Sequence, residues 1–218
     1  MTAIPKNLTQ MFNKKQSKKY TLVLDLDETL IYSVSTSNIL TVNKLKKMDN
    51  LLFHYFENCN HIFVYYRPHI TYFLQEMSKY FDICIFTNGS KTYTNMVVTM
   101  INSMTSNTYI SRWYSRTGDY PFYKYISLIE NIDTSTVIII DDNDKIWKDD
   151  YKNVISIKKF YGPIDKNYIF DDELLFLTHI LTSLIKINFS TVRNLVPIIN
   201  SHCISKETFQ KNLYDYKI

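Results

Sequence analysis

The chain has 218 residues, enough for one domain with a sizeable core, and its 45% apolar content excludes a wholly disordered chain. A net charge of +4 is too mild to imply a nucleic-acid partner; it fits a lysine-bearing surface or an acidic substrate such as a phosphoprotein. Three glycines speak against Gly-rich nucleotide loops, and Cys59, Cys84 and Cys203, with no Cys-x-x-Cys pair, speak against zinc and disulfide frameworks and for a reducing compartment. The weight of Ile, Asn, Lys and Tyr reads as AT-rich coding, as in a large DNA virus or a protist, rather than as a feature of the fold.

Residues 1–19 are polar and basic, with Lys14, Lys15, Lys18 and Lys19, and read as a flexible tail without the apolar stretch of a signal peptide. Three later segments share one grammar. "TLVL" runs into Asp25, with Asp27 two residues on. "ICIF" runs into Thr87 and Asn88, and "VIII" into Asp141 and Asp142. Continuous apolar runs of this length predict strands buried on both faces, as in a parallel sheet. Between them, Ile70, Phe73, Leu74 and Met77 after Pro68, then Tyr93, Met96, Val97, Met100, Ile101 and Met104 after Ser90, follow helix spacing. The alternation predicts an α/β, Rossmann-like sheet flanked by helices.

Residues 34–66 and 105–122 are expected to be small insertions carrying short strands or flaps. "DDELLFLTHILTSLI" predicts an amphipathic helix from near Asp171, and the apolar run at 174–187 is too short and too broken by polar residues to span a membrane. Three parts result: a tail at 1–19, a main domain at 20–186 and a partly helical extension at 187–218. The expectation is a soluble intracellular protein of nucleus or cytoplasm.

In such sheets ligands bind beyond the carboxyl ends of the strands, where Asp25, Asp27, Thr87, Asp141 and Asp142 would converge. Clustered carboxylates repel unless a cation is present, and hard oxygen ligands suit Mg²⁺. An aspartate can attack phosphorus, and a second carboxylate can act as general acid and then general base. Lys124 can offset phosphoryl charge, and the Thr87 hydroxyl can donate to a phosphoryl oxygen. A lone Asp-x-Asp is commonly a surface turn; the combination, in order and at strand ends, carries the argument.

"DLDETLIYS", "YRPHITYFLQEMSKYFDICIFTNGS", "YKYISLI" and "VIIIDDNDKIW" together resemble the haloacid dehalogenase superfamily, and within it the phosphatases like those of the RNA polymerase II C-terminal domain, the NLI-interacting-factor-like family. The resemblance covers about residues 20–186. It implies a haloacid dehalogenase core and a Mg²⁺-dependent protein serine/threonine phosphatase working through an aspartyl-phosphate. Asp25 matches the nucleophile and metal ligand. Asp27 matches the general acid/base, with its main-chain oxygen on the metal. Thr87, with Asn88 beside it, and Lys124 match the groups that hold the phosphate, Lys124 also stabilising the phospho-enzyme. Asp141 matches the metal-binding residue of the fourth motif. Asp142 stands where the small members carry Asn; the larger ones carry a second Asp and a nearby Trp, here Trp147, so Asp142 joins the metal set.

This chain departs from the family at Tyr125, where an acidic residue usually follows the lysine, and in "FTN" for the usual "FTA". His69 of "RPH" reads as structural, packing at a helix start. His54, His61, His179 and His202 lack metal-ligand spacing, and Arg112 and Arg116 read as exposed insertion residues. The implied partner is a phosphoserine or phosphothreonine protein, the RNA polymerase II tail or another, with no direct nucleic acid and no membrane. Two alternatives stay open: a non-catalytic binding protein on the same fold, as in a mitochondrial-import relative, or a small-molecule phosphatase of the wider superfamily.

Overall fold

A computed structural model describes residues 20–105, 107–116, 123–186 and 196. The basic tail and most of the 187–218 extension lie outside the described residues. In chain order the strands are β1 (Tyr20–Leu24), β2 (Ile31–Thr36), β3 (Leu51–Glu57), β4 (Asn60–Tyr66), β5 (Phe81–Phe86), β6 (Ile110–Tyr114), β7 (Val137–Asp141) and β8 (Val154–Ser156). The helices are α1 (Ile39–Leu45), α2 (Ile70–Met77), α3 (Lys91–Ser103) and α4 (Glu173–Lys186).

The main sheet has the order β6-β5-β1-β7-β8 and is parallel throughout. The three apolar runs form its centre, and successive side chains divide between its faces. Leu22, Leu24, Ile83, Ile85, Ile138 and Ile140 meet the apolar stripes of α2, α3 and α4 on one face. Val23, Cys84, Phe86, Val137 and Ile139 pack on the other against Ile126, Ile129 and Trp147, which lie in or beside 3-10 turns. Cys84 is thus a buried small hydrophobe; apolar burial pushes its thiol up to about 12. The chain leaves β1 for β5 on one side and returns to β7 on the other, so a crevice opens at the carboxyl end of β1.

The insertion after β1 is a three-stranded antiparallel sheet, β2-β4-β3, with α1 against it. Asn58 and Cys59 both take left-handed backbone at the β3–β4 turn, the twist a two-residue hairpin requires. The second expected insertion divides differently. Ile110–Tyr114 pairs with β5 and is the edge strand of the main sheet, not a flap. An edge strand has one covered side, so in "ISRWY" the buried Ile110 is followed by alternating exposed and half-buried positions, and a continuous apolar run is lacking.

Ser90 caps α3 by accepting from the Tyr93 N–H at 3.3 Å. His69, expected to pack at a helix start, is exposed; it serves by backbone alone, turning into α2 in a left-handed conformation. The neighbouring Arg67 is fully buried. It forks onto Asp171 (2.7 and 2.9 Å) and donates to the carbonyls of Thr29 (3.0 Å) and Lys158 (2.8 Å). It thereby joins the turn after β1, the segment after β8 and the start of α4.

Candidate active site

The ladder between β1 and β7 continues one step past the strand: the Asp25 N–H donates to the Ile140 carbonyl at 2.9 Å. The chain then folds back, with the Leu26 carbonyl accepting from Leu30 and Ile31 (2.9 and 3.0 Å) and Glu28 in left-handed backbone. Asp25 is thus set by sheet geometry and Asp27 by a tight turn. The Thr87 N–H donates to the Tyr114 carbonyl at 3.0 Å, and the Lys124 N–H to the Ile146 carbonyl at 2.8 Å.

All seven residues singled out in the sequence line one cavity of about 360 Å³: Asp25, Asp27, Thr87, Asn88, Lys124, Asp141 and Asp142. Lys124 Nζ bridges Asp25 Oδ1 (2.5 Å) and Asp141 Oδ2 (2.8 Å). The Trp147 indole N–H donates to the same Asp141 Oδ2 at 2.8 Å, and the Asn143 N–H to Oδ1 at 2.8 Å. Asp142 accepts from the Thr29 hydroxyl at 3.1 Å and pairs with Lys159 at 3.0 Å, and Lys159 also reaches Glu28 at 2.5 Å. Thr87 Oγ1 accepts from the Gly89 N–H at 3.0 Å. On the other arm of the crevice, the Tyr93 hydroxyl donates to Asp27 Oδ1 at 2.6 Å.

Asp25, Asp141 and Asp142 can each bring an oxygen within 4.8 Å of the others. Among the described lining residues five carboxylates face two ammonium groups, Lys124 and Lys159, three charges short of neutrality. Burial raises the Asp25 carboxyl to about 7 against the pull of Lys124, with Asp141 adding to the rise. Asp27 is raised as well, again by burial and against its hydrogen bond from Tyr93. Burial penalises the Lys124 ammonium, but Asp25 and Asp141 together outweigh it and its pKa rises. A divalent cation fits this donor set: it is all hard oxygen, partly buried and short of positive charge.

The sequence reading missed several groups around the site. Tyr93 was counted as an apolar position on a helix face. Glu28 and Thr29 lie inside "DLDETL" without a role assigned from the sequence, and Lys159 lies in no motif, since it reaches Glu28 across 131 positions of chain. Arg112 donates to the Glu130 carbonyl at 3.0 Å, and Arg116 is exposed, its backbone N–H on the Gly89 carbonyl at 3.2 Å. His54 and His61, without metal-ligand spacing in sequence, meet across the β3–β4 hairpin with ring nitrogens 2.8 Å apart.

A parallel α/β sheet whose switch point gathers an Asp-x-Asp, a threonine, a lysine and a further Asp pair is the architecture of a haloacid-dehalogenase-type phosphatase. The pattern of the NLI interacting factor-like phosphatases matches residues 20–193, and the chain belongs to that family.

Curated relatives include the nuclear envelope morphology protein 1 of Schizosaccharomyces pombe, 31% identical over 154 residues, covering 68% of this chain and 30% of that protein. The CTD nuclear envelope phosphatase 1 homolog of Drosophila melanogaster is 33% identical over 159 residues, 68% of this chain and 63% of its own length. The chain therefore spans less than two thirds of these relatives. Among solved structures, Fcp1, described as an essential RNA polymerase II CTD phosphatase, superposes with a TM-score of 0.54 at 22% identity, over 91% of this chain and 57% of Fcp1. At that identity the likeness shows the fold. No helix among the described residues is long and apolar enough to cross a membrane.

Proposed function

We propose that this chain is a Mg²⁺-dependent protein serine/threonine phosphatase that works through an aspartyl-phosphate on Asp25. The observation that carries the reading is the Lys124 ammonium between Asp25 and Asp141, on the wall of a cavity otherwise overloaded with carboxylates. A phosphate dianion enters such a site only if positive charge offsets the acidic walls. Asp25, Asp141 and Asp142 would hold the cation, with the main-chain oxygen of Asp27; bound there, Mg²⁺ supplies charge for the phosphoryl oxygens and favours ionised Asp25.

In the first step an Asp25 oxygen attacks phosphorus, the bond from phosphorus to the serine or threonine oxygen breaks, and Asp27 protonates the departing oxygen. In the second, Asp27 takes a proton from water, the water oxygen attacks phosphorus, and the bond to Asp25 breaks to release phosphate. Lys124 holds charge beside Asp25 in both steps. Thr87 and Asn88, at the end of β5, face the same cavity as phosphate-binding groups. Preference for phosphoserine and phosphothreonine follows family membership; the RNA polymerase II tail is one candidate substrate, and the nuclear-envelope phosphatases among the relatives favour a nuclear or cytoplasmic setting.

The test is acid-quench trapping of ³²P from a labelled phosphoserine peptide. The native chain should carry acid-stable label in Mg²⁺ and Asp25→Asn none; Asp27→Asn, given ³²P-labelled p-nitrophenyl phosphate, whose leaving group needs little protonation, should accumulate label because hydrolysis of the aspartyl-phosphate is slowed. Label on Asp25→Asn, or full turnover in excess chelator, defeats the reading. Faster turnover of matched phosphotyrosine peptides defeats the substrate class.

A further inference from the structure

Asp27 is asked to move a proton twice, yet its carboxyl sits on a turn rather than on the sheet. One contact from outside that turn restrains it. Tyr93, in the first turn of α3, places its hydroxyl 2.6 Å from Asp27 Oδ1. The ring has little room to move: a Cβ on Gly89 would lie 2.9 Å from Tyr93 Cδ1, so glycine at that position lets the ring pack against the loop that carries Thr87. The phenol is itself held protonated by burial and by the nearby Asp27 charge, so it acts as a donor only.

We propose that Tyr93 is the positioning residue of proton transfer: by donating to Asp27 Oδ1 it fixes the carboxyl's rotation and leaves Oδ2 as the oxygen that releases and takes the proton. The reason is geometric. A carboxyl oxygen that accepts a short hydrogen bond from a phenol is poorly placed to carry the acid proton on the same side, so that proton sits on the other oxygen. A freely rotating carboxyl would offer either oxygen in many orientations, and proton transfer is sensitive to alignment at hydrogen-bond range.

This inference rests on Asp27 being the acid/base, and the experiment separates the two. The kcat/KM of a phosphoserine peptide, whose alkoxide leaving group needs a proton, is compared with that of p-nitrophenyl phosphate, whose leaving group needs it little, for the native chain, Asp27→Asn, Tyr93→Phe and Gly89→Ala. Asp27→Asn should lower the peptide-to-aryl ratio strongly, by about 100-fold or more. Tyr93→Phe, which keeps the ring and loses only the hydroxyl, should lower the same ratio by about 10-fold, as expected when a well-placed acid loses its alignment. Gly89→Ala, whose added methyl displaces the Tyr93 ring, should lower it by about 2- to 5-fold, and it provides the reading if Tyr93→Phe does not fold. Loss of stability alone would lower both substrates together and leave the ratio unmoved. A strong effect in Asp27→Asn with an unmoved ratio in Tyr93→Phe and Gly89→Ala overturns the role of Tyr93. An unmoved ratio in Asp27→Asn overturns the acid/base reading, and this inference with it.

Discussion

The indole N–H of Trp147 and the ammonium of Lys124 share one oxygen, Asp141 Oδ2, each at 2.8 Å. Trp147 is fully buried, its ring edge-on to Phe86 with centroids 5.5 Å apart, so the donor cannot swing away. Two donors on Oδ2 and the Asn143 N–H on Oδ1 lock the Asp141 carboxylate in one orientation. Groups that orient a metal ligand are typically worth about 10- to 100-fold in metal affinity. Trp147→Phe keeps much of the packing and loses the donor. The concentration of Mg²⁺ for half-maximal turnover should rise by about 10-fold or more. A Mg²⁺ titration checks this, and an unchanged midpoint contradicts it.

Arg67 carries a stability prediction. Its guanidinium is fully buried and its partner Asp171 nearly so, at 0% and 15% side-chain exposure, in fork-to-fork geometry. Removing one member of such a pair strands the other's charge and two carbonyls, a loss of about 3 kcal/mol or more. Arg67→Met should lower the urea midpoint accordingly. Changing Asp171 to Leu in the same chain should recover part of the loss, because the stranded carboxylate is then gone. A double variant as unstable as the sum of both singles contradicts this.

The raised Asp25 carboxyl predicts a pH signature in metal-free protein. Its folded value, about 7, lies above its ordinary 3.8 because burial disfavours the charge. A carboxyl raised in the folded state contributes stability that is full below the unfolded value and is lost as pH rises through the folded one. In excess chelator the melting temperature of the native chain, taken relative to Asp25→Asn, should fall as pH climbs from about 4 to about 7. Added Mg²⁺ should reduce that fall, since a bound cation favours the ionised form. Parallel curves for the two proteins contradict the prediction.

The Lys159 bridge gives a salt-sensitive expectation. Lys159 joins Glu28 and Asp142 at the mouth of the cavity, with its side chain 44% exposed. Pairs this exposed contribute roughly 0–1 kcal/mol, so Lys159→Met should leave the melting temperature almost unmoved. It does remove one of the two cations among the described residues lining the cavity. The KM for a phosphopeptide should rise about 3- to 10-fold, and less at high salt, where the acidic walls are screened. A lowered melting temperature with unchanged KM contradicts this.

The strands that carry Asp25, Thr87 and Asp141 were legible in the sequence because a strand buried on both faces must be apolar at every position, so the polar residue that ends it stands out. "TLVL", "ICIF" and "VIII" are β1, β5 and β7 within a residue or two, and the helix expected after Ser90 begins at Lys91. The seven proposed site residues were legible for the same reason, as polar residues at or near one edge of the sheet or within a family motif. The edge strand β6 was not, because exposure on one side lets polar residues alternate with apolar ones and erases the run. The groups that orient the site were also hidden. Tyr93 has the composition of a core residue, and Trp147 stood out only as the family's Trp near the acidic pair; only the fold shows that each aims its one polar atom at a carboxylate. Arg67–Asp171 and Glu28–Lys159 join positions more than a hundred residues apart, and no local pattern encodes such pairs. The sequence by itself determined the sheet and its polar edge, because periodicity is a local property. Tertiary structure alone decided which oxygen of each carboxylate is held and by what, because that depends on the packing of distant segments into one crevice.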